Sequence, residues 1–296
     1  MTGERQWSGK TDGAPWMHRA LIGLLKVFPL WAMYLLAVLV VPFYMLFNHK
    51  GYLAIYHYLR NRQGWGPLKS FLGCFANHFL FSTSFMDRFA AFAGKKFQVD
   101  IAHTDLFFEL SEKEGGFVML ASHVGNHEMS GYMLGSPNKR MNAIAFPGEK
   151  SSIRANRDRI FGDKNIRLIS ADGMDWLFTL NAALSDGEIV SIHADRLFGS
   201  TKFLTANILG ADAKLPLGPF NLAVSRDLPV IAAFSVKTGY KSYRGRLVRL
   251  DTPEMASLSK KEKLERLSSR YAAELTKTLR ESPLQWYNFY EFWEKD

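Results

Sequence analysis

Residues 117–128 read FVMLASHVGNHE. Five apolar residues, Phe117 to Ala121, run into a polar turn with a glycine at its middle and an acid three residues beyond that glycine. An apolar run of this length bounded by a turn signal reads as a buried strand. Gly125 permits a sharp bend. Asn126 to Glu128 then open a helix whose first-turn acid suits the helix dipole. The stretch therefore reads as strand, bend and helix start, the repeating unit of an α/β fold.

The same rhythm continues outward toward the C-terminus. The runs NAIAF (142–146), IRLIS (166–170), EIVSIH (188–193) and LPVIAAFSV (228–236) alternate with helix-length amphipathic stretches. That pattern predicts a mostly parallel sheet covered by helices. GRLVRL (245–250) adds an expected edge strand with its arginines outward, and Ser259 to Glu281 an amphipathic, charged helix. Toward the N-terminus the pattern is helical from Met17 to about Ala93. Within it Phe71, Phe75, Phe79, Phe81, Phe85, Phe89 and Phe92 recur mostly at spacings of three or four, the mark of a packing face. The expected organisation is a polar arm over 1–16, a hydrophobic membrane-anchoring helix over 17–48, and an α/β domain over 49–296 whose first part, 49–93, is a helical lead-in.

Composition narrows the function. A chain of 296 residues at 47% apolar can bury a substantial core. The single cysteine, Cys74, excludes an internal disulfide and any thiol metal cluster. Lysine and arginine outnumber aspartate and glutamate by 37 to 28, for a net charge of +9, so an anionic partner is expected. Nucleic acid is set aside: zinc-finger spacing, an RNP-like aromatic motif and a dense basic block are all missing from the sequence. A membrane has a specific segment behind it. VFPLWAMYLLAVLVVPFYMLF (27–47) carries no charge and is long enough to span a hydrocarbon layer of ~30 Å. Trp31, Tyr34 and Tyr44 suit the membrane–water boundary, while Pro29 and Pro42 are points where the helix can start, kink or stop. Basic residues flank both sides, so the charge count does not fix an orientation.

The chemistry sits in SHVGNHE. His123 and His127 four residues apart, with Glu128, invite a metal reading, but the order does not match H-E-x-x-H and Gly125 separates His123 from the helix. No metal is expected. Alternatively, His123 stands at the carboxyl end of a strand, where open α/β sheets bind ligands. There it can take a proton from a hydroxyl, with Glu128 brought back by the bend to orient it. Equally, an isolated H-x4-E can be a strand-end histidine followed by an acid that only complements the helix dipole.

H-x4-D/E is the signature of the lysophospholipid acyltransferase superfamily, and HVGNHE resembles the form in its lipid A (lauroyl/myristoyl) acyltransferase branch. IHADR (192–196), LPLGPFNLAVSRDLPVIAAF (215–234) and the tail Pro283, Gln285, Trp286, Phe289 and Trp293, which is similar to the family's closing helix, extend the resemblance over about residues 20 to 293. The arm WSGKTDGAPW is closer to acyltransferases linked to aryl-polyene and amino-acid lipids, which leaves the acceptor open and not the reaction.

The resemblance implies a membrane-associated acyltransferase that moves a fatty acyl group from acyl carrier protein (acyl-ACP) or acyl-CoA to a hydroxyl of a lipid or lipid-like acceptor, without a cofactor. His123 would be the general base and Glu128 its orienting acid. Asn126, Arg154, Arg157, Asp195, Arg196 and backbone amides near Gly218 would bind substrate or stabilise the oxyanion. It also implies a bacterial inner-membrane location with the catalytic domain facing the cytoplasm. Two other classes stand beside it: a lipid hydrolase using the same crevice, for which no G-x-S-x-G elbow exists in the sequence, and a non-catalytic basic lipid-binding membrane protein.

Overall fold

The computed structural model describes residues 15–47, 49–131, 134–145, 165–171, 175–197 and 200–293. Residues 1–14 of the polar arm lie outside these, as do Arg154 and Arg157.

The expected single hydrophobic helix is two helices. α1 spans Pro15–Val27 and α2 Leu30–Phe47, broken at Phe28–Pro29. Proline lacks the N–H that would continue the first helix and pushes its predecessor out of helical geometry, so the second helix starts afresh. α3 (His49–His57) runs into a π-helical turn, Tyr58–Arg62, and then α4, Pro67–Phe92, the phenylalanine-rich helix. Proline at the first position of α4 suits a helix start.

Seven strands follow in one sheet: β1 (Gln98–Ala102), β2 (Phe117–Ala121), β3 (Met141–Ala145), β4 (Ile166–Ser170), β5 (Ile189–His193), β8 (Val230–Gly239) and β9 (Ser242–Arg249). Their order is β1-β9-β8-β2-β5-β3-β4, and every pairing is parallel except β8 with β9. The α/β reading with a mostly parallel sheet therefore holds, and FVMLA is the central strand, buried at every residue. A separate antiparallel hairpin, β6 (Phe203–Ile208) and β7 (Ala211–Pro216), lies under the last long helix. Helices α5 (Thr104–Glu112), α6 (His127–Gly131), α7 (Asp175–Ser185), α8 (Leu217–Val224) and α9 (Lys260–Glu281) complete the described elements. Along β2 the side chains alternate between two cores. Val118 and Leu120 face the larger, with α7, α8, α9 and the tail, while Phe117 and Met119 face the smaller, with Phe107 and Leu110 of α5.

Two sequence expectations are corrected. β9 is not an edge, because β1 pairs along its outer side. Its arginines do not simply point to water: Arg246 reaches Glu274 and Thr278 on α9, and Arg249 reaches Asp251. Alternation reports two faces of a strand, and it cannot tell solvent from a covering helix whose acids take the guanidinium heads. The C-terminal stretch is also not a closing helix. After a 3-10 turn, Pro283–Gln285, it runs as an extended strap.

α4 carries the joint between the N-terminal helices and the sheet. Asp87, wholly buried, accepts hydrogen bonds from Tyr34 of α2, Tyr243 of β9 and Lys237 of β8. The Lys237 ammonium also donates to the Tyr240 carbonyl at 3.1 Å. Burial pushes the Asp87 carboxyl up and the Lys237 ammonium down, so the pair is held against its desolvation cost by the hydrogen bonds around it. Lys237→Met removes the cation paired with Asp87 and is expected to cost about 3–5 kcal/mol. The double variant Asp87→Asn/Lys237→Met should cost less than the single one, as measured by denaturant titration in detergent. Equal losses would show that the charge pair is not the source.

Candidate active site

The site forms because two strand ends are neighbours. Ala121 of β2 is in register with His193 of β5, and the residues two beyond each are His123 and Asp195. His123 Nδ1 lies 2.7 Å from Asp195 Oδ1, and the His123 amide donates to Asp195 Oδ2 at 2.8 Å. The indole N–H of Trp286, in the strap, donates to the same Oδ2 at 3.0 Å. Asp195 is wholly buried. Burial pushes its carboxyl up, but the charge and hydrogen bond of His123, the nearby His193 and the Trp286 N–H outweigh burial and hold it below the usual carboxylate range.

The sequence assigns the orienting role to Glu128. In the structure the carboxylate at Nδ1 is Asp195, and Glu128, also buried, pairs with Arg88 of α4 at 2.9 Å. The physical reason is the direction of the bend. Residues 123–125 do not fold back as a tight turn on Glu128, since they are pinned between two other segments. Val124 bridges Trp286 on one side and Gly125 bridges Ser235 of β8 on the other. The Gly125 amide donates to the Gln285 carbonyl at 2.7 Å, and the Tyr287 amide to the His123 carbonyl at 3.1 Å. Gly125 has φ +61, and a Cβ there would stand 1.9 Å from the Ser235 carbonyl oxygen. Glycine is required on both counts, as the bend in the sequence suggests.

The remaining expected residues divide. Asn126 holds the loop: its side chain donates to the Ser84 carbonyl at 3.0 Å and its amide to Ser235 at 3.1 Å. Arg196 does not pair with its neighbour Asp195 but turns to the strap, donating to Asn288 Oδ1 at 2.6 Å and to the Tyr287 carbonyl at 3.1 Å. Gly218 lies in the first turn of α8, and no described contact joins it to His123. Arg154 and Arg157 fall outside the described residues. Ser122, the serine nearest the histidine, is buried on the strand side. Cys74 is buried in α4 and its thiol is pushed up to about 12 by burial, which disqualifies it as a nucleophile.

Sequence reasoning missed three contributors. His193 sits between the other two histidines, its ring centroid 4.4 Å from that of His123, tilted, and 4.4 Å from that of His127, edge-on. His127 therefore packs within the site. Trp286 and Arg88 supply the strap and α4 contacts. Only Trp286, within the aromatic tail, carried a signal, and periodicity cannot say what an aromatic tail touches.

Chemically this is an imidazole whose Nδ1 faces a buried carboxylate, a geometry in which Nε2 can take a proton. Burial lowers the His123 pKa, the Arg196 charge lowers it further, and Asp195 works in the other direction. Burial and the other two histidines hold His193 well below the usual range as well. No group of three or more potential metal ligands occurs among the described residues. The arrangement suits general-base activation of a hydroxyl.

Comparison with known proteins places these features. A sequence model described as "Bacterial lipid A biosynthesis acyltransferase" matches residues 88–295, which include His123, Glu128, Asp195 and Trp286. Among solved structures, the chain is similar to the 1-acyl-sn-glycerophosphate (LPA) acyltransferase PlsC from Thermotoga maritima. The identity is 12% and the TM-score 0.40, over 90% of this chain and 100% of that one. No curated protein matches by sequence.

A histidine base acts in its neutral form, so turnover should rise with pH along a limb below the usual histidine range and level off above it. Asp195→Asn removes the charge that supports the imidazolium. It should move the limb to lower pH and reduce kcat by about 10²–10⁴-fold. Arg196→Gln removes an opposing positive charge and should move the limb up. A pH–rate profile that neither variant displaces would place the base elsewhere.

Proposed function

Because the chain belongs to the bacterial lipid A biosynthesis acyltransferase family, we propose that it transfers a fatty acyl group from an acyl-ACP or acyl-CoA thioester to a hydroxyl of a lipid or lipid-like acceptor by direct attack. The observation that carries this reading is the His123–Asp195 contact of 2.7 Å at the end of the central strand. His123 Nε2 takes the hydroxyl proton as the oxygen attacks the thioester carbonyl. The tetrahedral intermediate collapses to the ester, and the departing thiolate recovers the proton from the imidazolium. Asp195 fixes the tautomer and stabilises that imidazolium. Glu128 acts one step back, through Arg88, on the placement of the loop.

Membrane association rests on α2. It is 18 residues long with mean hydropathy 2.2, and only 22% of it is buried within the protein. Trp31, Leu35, Leu39, Phe43 and Phe47 are exposed on it, and Leu68, Phe71 and Leu72 are exposed at the start of α4. Exposed apolar surface on this scale marks an interaction face, and a lipid acceptor makes the inner membrane the natural occupant. In this reading the catalytic domain lies at the cytoplasmic surface, where acyl-ACP and acyl-CoA are available.

Purified full-length protein given radiolabelled acyl-ACP or acyl-CoA with membrane lipid extract should yield a labelled lipid. His123→Ala should abolish it while the melting temperature is retained, and Asp195→Asn should reduce it by about 10²–10⁴-fold. Glu128→Gln should lower the rate without moving the pH limb; full activity in His123→Ala would sink the assignment. For the membrane face, Leu39→Glu/Phe43→Glu places two charges at positions 66% and 64% exposed. With a cost of roughly 2–3 kcal/mol per charge in a bilayer, the variant should float with liposomes far less than the parent. Unchanged flotation would remove α2 from the membrane contact.

A further inference from the structure

No aspartate or glutamate occurs from Gly13 to Met86, a stretch that carries six lysines and arginines. It covers α1, α2, α3 and most of α4. Arg19, Lys26, Lys50 and Lys69 within it are exposed. So is much of its apolar surface. Val27 and Phe28 lead into the exposed side chains of α2, and Leu53 of α3 and Phe71 of α4 follow them. There α3 meets α4, with the Tyr52 and Phe71 rings edge to face at 6.4 Å. A face built from a segment that is apolar, basic and free of acids complements an anionic lipid leaflet.

α2 is long enough to cross a bilayer, and its place in the fold decides how it meets one. It lies antiparallel against α4. Tyr34, near its start, donates to Asp87 near the end of α4, and Tyr44, near its end, packs on His78 further back, ring centroids 6.2 Å apart. Leu30, Ala37 and Val41 form its buried stripe. The Trp31 amide also donates to the Tyr240 hydroxyl, in the β8–β9 turn, at 2.8 Å. On its inner side α4 holds Lys237 through Asp87, Glu128 through Arg88, and the Leu284 and Trp286 carbonyls through Asn77. Were α2 to cross the bilayer in this arrangement, α4 would stand beside it at hydrocarbon depth. The paired charges, the β8–β9 turn and the strap backbone would be drawn in with it, where irregular backbone and ionised groups are costly. A crossing would also part the basic flanks of α2. Arg19 and Lys26 would lie on one side and Lys50, Arg60 and Arg62 on the other, so that one set would sit on the side basic residues avoid.

We propose that α2 lies in the plane of one leaflet of an anionic bilayer, its outer face among the acyl chains and both of its basic flanks at the headgroups of the same side. The proposal rests on the membrane contact inferred above and specifies its geometry and its lipid. Helices of this kind sink roughly 5–10 Å into the boundary between headgroups and acyl chains. α4, which holds Asn126 and Glu128, then rests where lipid headgroups are presented.

Lys26→Cys and Lys50→Cys test the geometry, made singly in the full chain, whose one natural thiol, Cys74, is buried. A membrane-impermeant maleimide is applied to sealed spheroplasts and to inverted membrane vesicles. Both positions should react in the same preparation and neither in the other. Any other pattern, above all one position reacting from each side, overturns the in-plane arrangement. The lipid is tested by flotation of the purified chain with phosphatidylcholine vesicles, with and without phosphatidylglycerol. The anionic lipid should strengthen binding roughly tenfold or more, and Lys26→Gln/Lys50→Gln should take back about fivefold of that gain per charge. Equal binding to both vesicles, or a gain that the double variant keeps, overturns the anionic leaflet. Neither readout needs turnover. A chain with both flanks on one side that transfers no acyl group fails the functional reading alone, and an active chain with its flanks on opposite sides fails this inference alone.

Discussion

The Asp195 carboxylate is the contact on which the site depends. It is wholly buried and receives three N–H donors, from the His123 backbone, the His123 ring and the Trp286 indole. Those donors come from two places in the chain, the bend behind β2 and the C-terminal strap. A buried carboxylate is tolerated only when its oxygens are satisfied. The need to satisfy this one fixes the β2 and β5 ends and the strap in a single arrangement, and that arrangement holds an imidazole against a buried carboxylate.

α4 is the second constraint, because one of its faces touches nearly every part of the site's frame. Asn77 donates to the Leu284 and Trp286 carbonyls, each at 3.0 Å. The Ser84 carbonyl accepts from Asn126, Asp87 holds Lys237, and Arg88 holds Glu128. The same helix packs against α1 and α2 through Phe89, Ala90 and Phe92. A helix that contacts both the exposed apolar face and the catalytic loop ties the position of one to the other. The phenylalanine spacing made α4 legible as a packing helix. Its polar residues, interspersed among the rings, do the positioning.

Much of the architecture could be read from sequence because it is periodic. The runs at 117, 142, 166, 188 and 228 are strands near the expected bounds, and Ser259 caps α9 in a capping box with Glu262. β1 and the β6–β7 hairpin were not read, since their burial alternates weakly and their runs are short or half-exposed. His123 was legible from its place at a strand end, and Gly125 from the bend. Asp195 was seen as a site residue but not as the partner of His123. That partnership is a matter of register between strands 72 residues apart, which local spacing cannot express. Glu128 was the natural choice of partner by proximity, and proximity failed because the bend is pinned to Ser235 and Gln285 and does not close on itself.

The strap has a consequence for how the protein is made. Trp286 follows His123 by 163 residues, an interval of roughly 10–30 s at ribosomal speeds of ~5–20 residues per second. Asp195 joins His123 partway through that interval, and until Trp286 follows, the pair exists in the nascent chain without the segment that pins it. The contact at Asp195 is completed only when Trp286 has been translated. Synthesis of the His123–Asp195 pair and its pinning are therefore consecutive, and a chain interrupted short of Trp286 lacks the indole N–H at Asp195.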